Sequence, residues 1–195
     1  VIILASKSAA RASILRNANV PFEAVGSGLD ETPIKHGLLR RGAAPREIAR
    51  VLAEEKAKAA SLHHPGLVIG ADQTLDLDGR LIDKADTLAE ARTRLVDLRN
   101  RPHRLHSAAA AARAGEIVFT DADSATLMAR DYSDVWLDGY LERNGEALLG
   151  SVGCYQLEGE GVQLFDRVEG DYFTILGLPL VPLLAFLRAE GALAS

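Results

Sequence analysis

Five apolar residues in a row, Val1-Ile2-Ile3-Leu4-Ala5, open the chain. The polar turn Ser6-Lys7-Ser8 follows at once, and helical composition runs from Ala9 to Asn17. An unbroken apolar run this short is a strand buried on both faces rather than a helix. Ser6 or Ser8 suits the N-cap of the helix behind it. The pattern returns at Leu67-Val68-Ile69-Gly70-Ala71, a second buried strand that is expected to end at Asp72. Buried strands alternating with helical sequence argue for the α/β class.

The remaining signals fill in a mixed sheet with flanking helices. Residues 22–25 read as a short strand, and residues 26–33 as a loop carrying Asp30-Glu31. Residues 44–62 form a strong helix, with Pro45 in its first turn and Ile48, Val51 and Leu52 on one face. Asp76-Leu77-Asp78-Gly79 is a hairpin signal, returning through residues 80–83 towards Lys84. Thr87 caps a helix over residues 88–98. Residues 104–112 and 117–127 read as paired strands joined near Gly115, and residues 132–143 as a helix. Residues 162–168 read as a strand and 179–190 as the last helix. A length of 195 residues suits one domain over the whole chain.

Composition narrows the partners. Hydrophobic residues make up 48%, enough for a sizeable core. The net charge is −5, and no run of Lys or Arg extends beyond Arg40-Arg41. That balance argues against nucleic acid as the main partner, since duplex binding needs concentrated basic charge. A small anionic ligand needs only a few placed cations. Cys154 is the single cysteine, so no intrachain disulfide forms and a reducing cytoplasm is expected. No apolar run reaches the roughly 18 residues that span a bilayer, so no membrane is expected as a partner. Val1–Ala5 lacks the basic flank and length of a signal peptide.

Several residues could carry chemistry. A strand feeding a helix through Ser6-Lys7-Ser8 aims free amides and the positive helix end at one point, which suits an anion. Lys7 or Arg11 would add a full charge, although a plain β-α connection is the commoner meaning of such a turn. No Gly-x-x-x-x-Gly-Lys-Ser/Thr loop is present. Asp72 follows a buried strand, where α/β proteins place ligand-binding residues. Alone it would more often be a cap. Its company is Asp30-Glu31 in a loop and the isolated cations Lys56 and Lys84. Carboxylates hold a hard cation while ammonium groups neutralise phosphate, so the set fits a magnesium triphosphate. Glu158-Gly159-Glu160-Gly161 is either a loop that a ligand approaches closely or a tight turn. Cys154 is read as core, and the five histidines lack metal-ligand spacing.

These pieces fall into an order that resembles the Maf family. Ile3-Leu4-Ala5-Ser6-x-Ser8 is similar to its Leu-Ala-Ser-x-Ser-Pro-Arg-Arg element, Asp30-Glu31 to its Asp-Glu loop, and Glu55-Lys56-Ala57 to its Glu-Lys-Ala helix. Ile69-Gly70-Ala71-Asp72 is similar to its Gly-Ala-Asp strand end, and Lys84 stands where the family has Lys-Pro. Gly153-Cys154-Tyr155, Glu158-Gly159, Glu169-Gly170-Asp171 and Gly177-Leu178-Pro179-Leu180 resemble the C-terminal signature. The resemblance runs from about Ile2 to Gly191. It implies an elongated, inosine-triphosphatase-like α/β fold with a cleft between two lobes, and often a homodimer. It also implies a divalent-metal-dependent (Mg²⁺ or Mn²⁺) pyrophosphatase acting on nucleoside triphosphates. By that resemblance Asp72 is the proton acceptor. Glu31 and Asp72 hold the metal, and Ser6, Ser8, Arg11, Lys56 and Lys84 bind substrate.

The chain departs from the family pattern at Ala9 and Ala10, where Pro-Arg is usual, at Ala85 for Pro, and at Val152 for Ala. Ala10, Gln73 and Glu158 are the positions that bear on the base. Gln73 and Glu158 resemble the branch acting on 7-methyl-GTP, although that branch commonly has Trp at the position of Ala10. Chemistry points the same way for Glu158. Guanine presents two adjacent donors that a carboxylate accepts as a fork, and N7 methylation adds a positive charge. A pyrophosphatase for dTTP and UTP is the competing enzyme reading. A weakly catalytic regulator of septum formation and cell division is the competing reading outside enzymes; Ala9 and Ala10 favour it, and Asp72, Lys84 and Glu31 count against it.

Overall fold

The computed structural model describes residues 1–194. Strand β1 (Ile2–Ala5) is fully buried and feeds α1 (Ala9–Asn17) through the Ser6–Ser8 turn. Then come β2 (Glu23–Val25), α2 (Glu31–Arg40), α3 (Pro45–Ser61), β3 (Leu67–Leu77), β4 (Arg80–Ile82) and α4 (Leu88–Leu98). The second half holds β5 (Pro102–Arg113), β6 (Glu116–Ala129), α5 (Asp134–Asn144), β7 (Phe165–Glu169), α6 (Tyr172–Leu176) and α7 (Leu180–Ala189). One mixed sheet runs in the order β2-β1-β3-β5-β6-β7, with β4 added to β3. β1 is parallel to β2 and β3, and the other pairings are antiparallel.

The long strand β3 organises everything else. One of its edges pairs with β5 from Val68 to Asp76. The other edge pairs with β1 only at Leu67–Ile69 and with β4 only at Leu75–Leu77. Residues 70–74 therefore have an open edge between two short neighbours. This corrects the expectation that the strand ends at Asp72. Asp72 lies mid-strand, because its pairing with Ala108 continues the ladder past the point where β1 stops.

Small residues let α3 lie close over this region. A Cβ on Gly70 would come within 2.2 Å of the Ala53 carbonyl and 2.5 Å of the Ala57 nitrogen. Ala49, Ala53 and Ala57 pack on Ala108, Ala110 and Ala112, all fully buried. Two larger core clusters flank this seam. One gathers β1, α1, α7 and the first half of β3; the other gathers α4, α5, the second half of β3 and Tyr155.

Two further readings are corrected, and one helix had no sequence reading. Asp30 is not mid-loop: its carboxylate accepts from the Thr32 amide and caps α2, so Glu31 is the first helical residue and Pro33 sits harmlessly in the first turn. Residues 160–164 form a 3₁₀ turn, and the strand begins only at Phe165. Helix α6 is unsignalled by periodicity because it is five residues long, held by the Asp171 cap and stopped by Gly177 at φ 101°. Among the described residues, no helix is long and apolar enough to cross a membrane.

Candidate active site

The open edge of β3 forms the floor of a cleft of about 730 Å³. Neighbouring strand residues point to opposite faces, so Asp72 turns towards α3 and Gln73 towards α6. The cleft gathers residues far apart in sequence. Ser6, Ser8, Ala10 and Arg11 come from the β1–α1 turn and the start of α1. Glu31 comes from α2, Lys56 from α3, Asp72 and Gln73 from β3, and Lys84 from the segment after β4. Glu158 lies on a second wall, lined from residues 150–158 between α5 and β7. All ten positions singled out in the sequence thus border one space.

Lys56 is the electrostatic hub. Its Nζ lies 2.6 Å from Asp72 Oδ1 and 3.0 Å from Glu31 Oε2. The side chains of Lys56 and Asp72 are 10% and 13% exposed, so this charge pair is largely withdrawn from water. Burial lifts the Asp72 carboxyl above the usual carboxylate range, against the opposing charges of Lys56 and Arg11. The result is a carboxylate that is a stronger base than a free aspartate.

Arg11 is pinned by three acceptors. Its Nε donates to the Gly177 carbonyl at 2.8 Å, and its Nη1 to the Ala71 carbonyl at 2.9 Å and to Ser6 Oγ at 3.3 Å. The bond to Ala71 caps the open edge of β3. Burial lowers the guanidinium's pKa, while Asp72 and Glu31 oppose that shift. Its Nη2 makes no hydrogen bond among the described residues and remains for a ligand. Ser8 Oγ accepts from the Arg11 amide as the N-cap of α1, and Ser6 Oγ accepts from the Ser8 amide. Lys84 stands at the rim. Partial burial first, and then the charge of Arg11, draws its ammonium pKa down.

The Gln73 carboxamide has partners other than a ligand. Its Nε2 faces the Ile175 carbonyl at 2.9 Å, Ser107 Oγ at 3.0 Å and the Thr174 carbonyl at 3.2 Å. Both amide hydrogens are spent on the protein, which leaves only the oxygen for a base. Sequence reasoning missed Ser107 and Thr174, both fully buried, because lone hydroxyls in a strand and a short helix carry no local signal. It also gave no site role to the Gly177 carbonyl.

The donor set suits a hard divalent cation. Two carboxylates converge on one ammonium, so they already face a common point of positive charge. Magnesium is usually held by one or two carboxylates plus phosphate oxygens and water. Among the described residues, no group of three or more His, Cys, Asp or Glu forms a complete cage, so substrate oxygens would have to finish the shell.

The family model described as "Maf-like protein" matches residues 1–190. The chain belongs to the Maf-like family. Its Maf-like relatives include a protein of Caulobacter vibrioides named nucleoside triphosphate pyrophosphatase, 62% identical over 98% of this chain and 96% of that one. A Maricaulis maris protein with the same name is 53% identical over 98% of this chain and 97% of its own. A Rhizobium meliloti protein named 7-methyl-GTP pyrophosphatase is 46% identical over 99% and 98%. The first two relatives share the general name, and the third carries the narrower one.

Proposed function

We propose that this Maf-like protein hydrolyses nucleoside triphosphates to the monophosphate and pyrophosphate, with Asp72 as general base. The observation that carries the reading is the convergence of Glu31 and Asp72 on Lys56 within one cleft, beside Arg11 and Lys84. Opposite charges so arranged suit a metal-bound polyphosphate. The names of the full-length relatives support the same reaction.

Glu31 and Asp72 would hold Mg²⁺ or Mn²⁺, which supplies charge neutralisation on the triphosphate and helps pyrophosphate to leave. The protein's own groups do the rest. Arg11 Nη2, Lys56 and Lys84 neutralise phosphate oxygens, and the Ser6–Ser8 turn offers hydroxyls and amides to one phosphate. A water oxygen attacks the α-phosphorus, its proton passes to Asp72, and the bond from the α-phosphorus to the bridging oxygen breaks.

The substrate we infer is a purine, 7-methyl-GTP or a related modified guanine nucleotide. Glu158 is exposed in the stretch of cleft lining formed by residues 150–158, and no hydrogen bond or ion pair holds it among the described residues. Its carboxylate is therefore available for the paired N1–H and amino donors of guanine. The Rhizobium meliloti relative's name agrees with this choice. Pyrophosphate release from a panel of canonical and modified triphosphates, with Mg²⁺ and with Mn²⁺, tests both levels. Fastest turnover of guanine nucleotides is expected. Preference for dTTP or UTP overturns the base assignment, and no release from any nucleotide overturns the activity.

A further inference from the structure

We propose that Glu160 is a positioning residue for base selection: its clamp onto the end of α5 aims the turn that carries Glu158. This role rests on the base reading given to Glu158 above. Glu160 is the second acid of Glu158-Gly159-Glu160-Gly161, and unlike Glu158 it does not border the cleft.

Glu160 opens the 3₁₀ turn over residues 160–164 and bonds the last two residues of α5. Its Oε1 accepts from Arg143 Nη2 at 2.6 Å and from Arg143 Nε at 3.0 Å. Its Oε2 accepts from Asn144 Nδ2 at 2.8 Å. Asn144 is itself oriented, because the same nitrogen donates to the Tyr140 carbonyl at 2.9 Å and both partners can only accept. Gly139 makes room for the guanidinium: a Cβ there would meet Arg143 Nη1 at 2.8 Å. The bonds from Arg143 and then Asn144 hold the Glu160 carboxyl below the usual carboxylate range, so the clamp stays charged at neutral pH. Both carboxylate oxygens are engaged, which defines the geometry better than a single exposed contact would.

The clamp reaches Glu158 through a short, stiff piece of chain. Gly161 lies so close to Gln156 that a Cβ would come within 2.5 Å of the Gln156 oxygen and 2.8 Å of its nitrogen. The Gly159 amide donates to the Gln156 carbonyl at 3.2 Å. Residues 156–161 therefore move as one turn. Leu157 packs on the core cluster of α4 and α5, a contact that fixes depth but not rotation. Ser151 holds the near end of the turn through the Tyr155 backbone, and Glu160 supplies the side-chain hold at the other end, two residues from Glu158. Arg143 and Asn144 also stand outside the cleft, so the clamp acts on the base and spares the phosphates.

The test compares Glu160→Leu and Arg143→Met with the wild-type protein, below the melting temperature of each. Dissociation constants are measured with Mg²⁺ for the α,β-methylene analogues of GTP and UTP, which cannot release pyrophosphate, and for tripolyphosphate, which has no base. The guanosine-to-uridine affinity ratio is expected to fall about fivefold in Glu160→Leu and about threefold in Arg143→Met, the range of an exposed charge pair. Tripolyphosphate affinity should stay unchanged in both, a result that general loosening of the fold would not give. In a Glu158→Gln background neither change should move the ratio further, because residues acting as one unit do not add. A ratio unchanged in either variant, a common loss that includes tripolyphosphate, or shifts that multiply with Glu158→Gln would overturn the inference. If the wild type favours the uridine analogue, the guanine assignment fails alone, and the clamp stands or falls on whether both variants shift the ratio. If the wild type releases no pyrophosphate from nucleotides, the reaction fails alone, since these affinities need no turnover. A wild type with no preference between the analogues overturns both.

Discussion

The two walls of the cleft are built on different principles. At the charged end, Arg11, Lys56 and Asp72 come from α1, α3 and β3, and each is locked by at least one hydrogen bond or ion pair at 3.0 Å or less. On the far wall, Ser151 ties its own loop by bonding the Tyr155 backbone, Tyr155 is buried beneath, and Glu158 projects without a partner among the described residues. The charged end must be preorganised, since fixed charges around a polyphosphate stabilise a transition state only if they need not move to do so. On the proposed function the far wall chooses among bases, which a free carboxylate on a loop can do at little cost to the fold. On the proposed function, one end fixes the reaction and the other is free to vary the substrate.

The largest expected effect breaks the charged end outright. Asp72→Asn keeps the shape but removes the proposed proton acceptor, and kcat should fall by about 10³-fold with nucleotide still bound. In metal-free protein burial holds the Asp72 carboxyl above the ordinary aspartate range, and a pH titration without added metal checks this. Next comes Lys56→Met, which leaves two carboxylates facing each other without their shared cation. Urea denaturation should show a loss of about 3 kcal/mol, and the Asp72 carboxyl should rise further.

The far wall has its own liability. His103 contacts the Tyr155 hydroxyl at 2.7 Å and is 2% exposed, and burial depresses its pKa from 6.5 to about 4. The folded state thus binds its proton less readily than the unfolded chain. Its contribution is whole above pH 6.5 and is lost as pH falls to about 4, by about 3 kcal/mol. Stability measured across that window should fall, and His103→Leu should flatten the fall while leaving neutral-pH turnover within a few-fold. The smallest expected effect is the sharpest test of the comparison. Glu158→Gln should move preference towards uracil or thymine by roughly tenfold, with kcat for the best substrate nearly unchanged. A drop in kcat for all bases would show that the two ends are not separable.

What was legible in the sequence followed from contrast. Ser6, Ser8, Asp72 and Lys84 are polar residues set against apolar strands or turns, and Lys56 is a cation on the apolar face of α3. Apolar runs gave the strands, and capping residues such as Thr87 gave helix starts. The misses have one physical origin: they depend on partners distant in sequence or on backbone atoms. Strand β3 continues past Asp72 because β5 pairs with it there, and nothing near Asp72 announces that. Ser107 and Thr174 matter through a bond between residues 67 apart. The acceptors that aim Arg11 are the carbonyls of Ala71 and Gly177, which any residue type would present. Gly70 was visible as a motif letter, but the close approach of α3 that requires it was not.

Turnover in ¹⁸O-labelled water tests the assignment of the charged end most directly. If Asp72 delivers water to the α-phosphorus, each cycle yields one pyrophosphate and one monophosphate, and the label appears in the monophosphate alone. Label in pyrophosphate, or release of single phosphate ions, would place the attack elsewhere and contradict the geometry assigned to Asp72, Lys56 and Arg11.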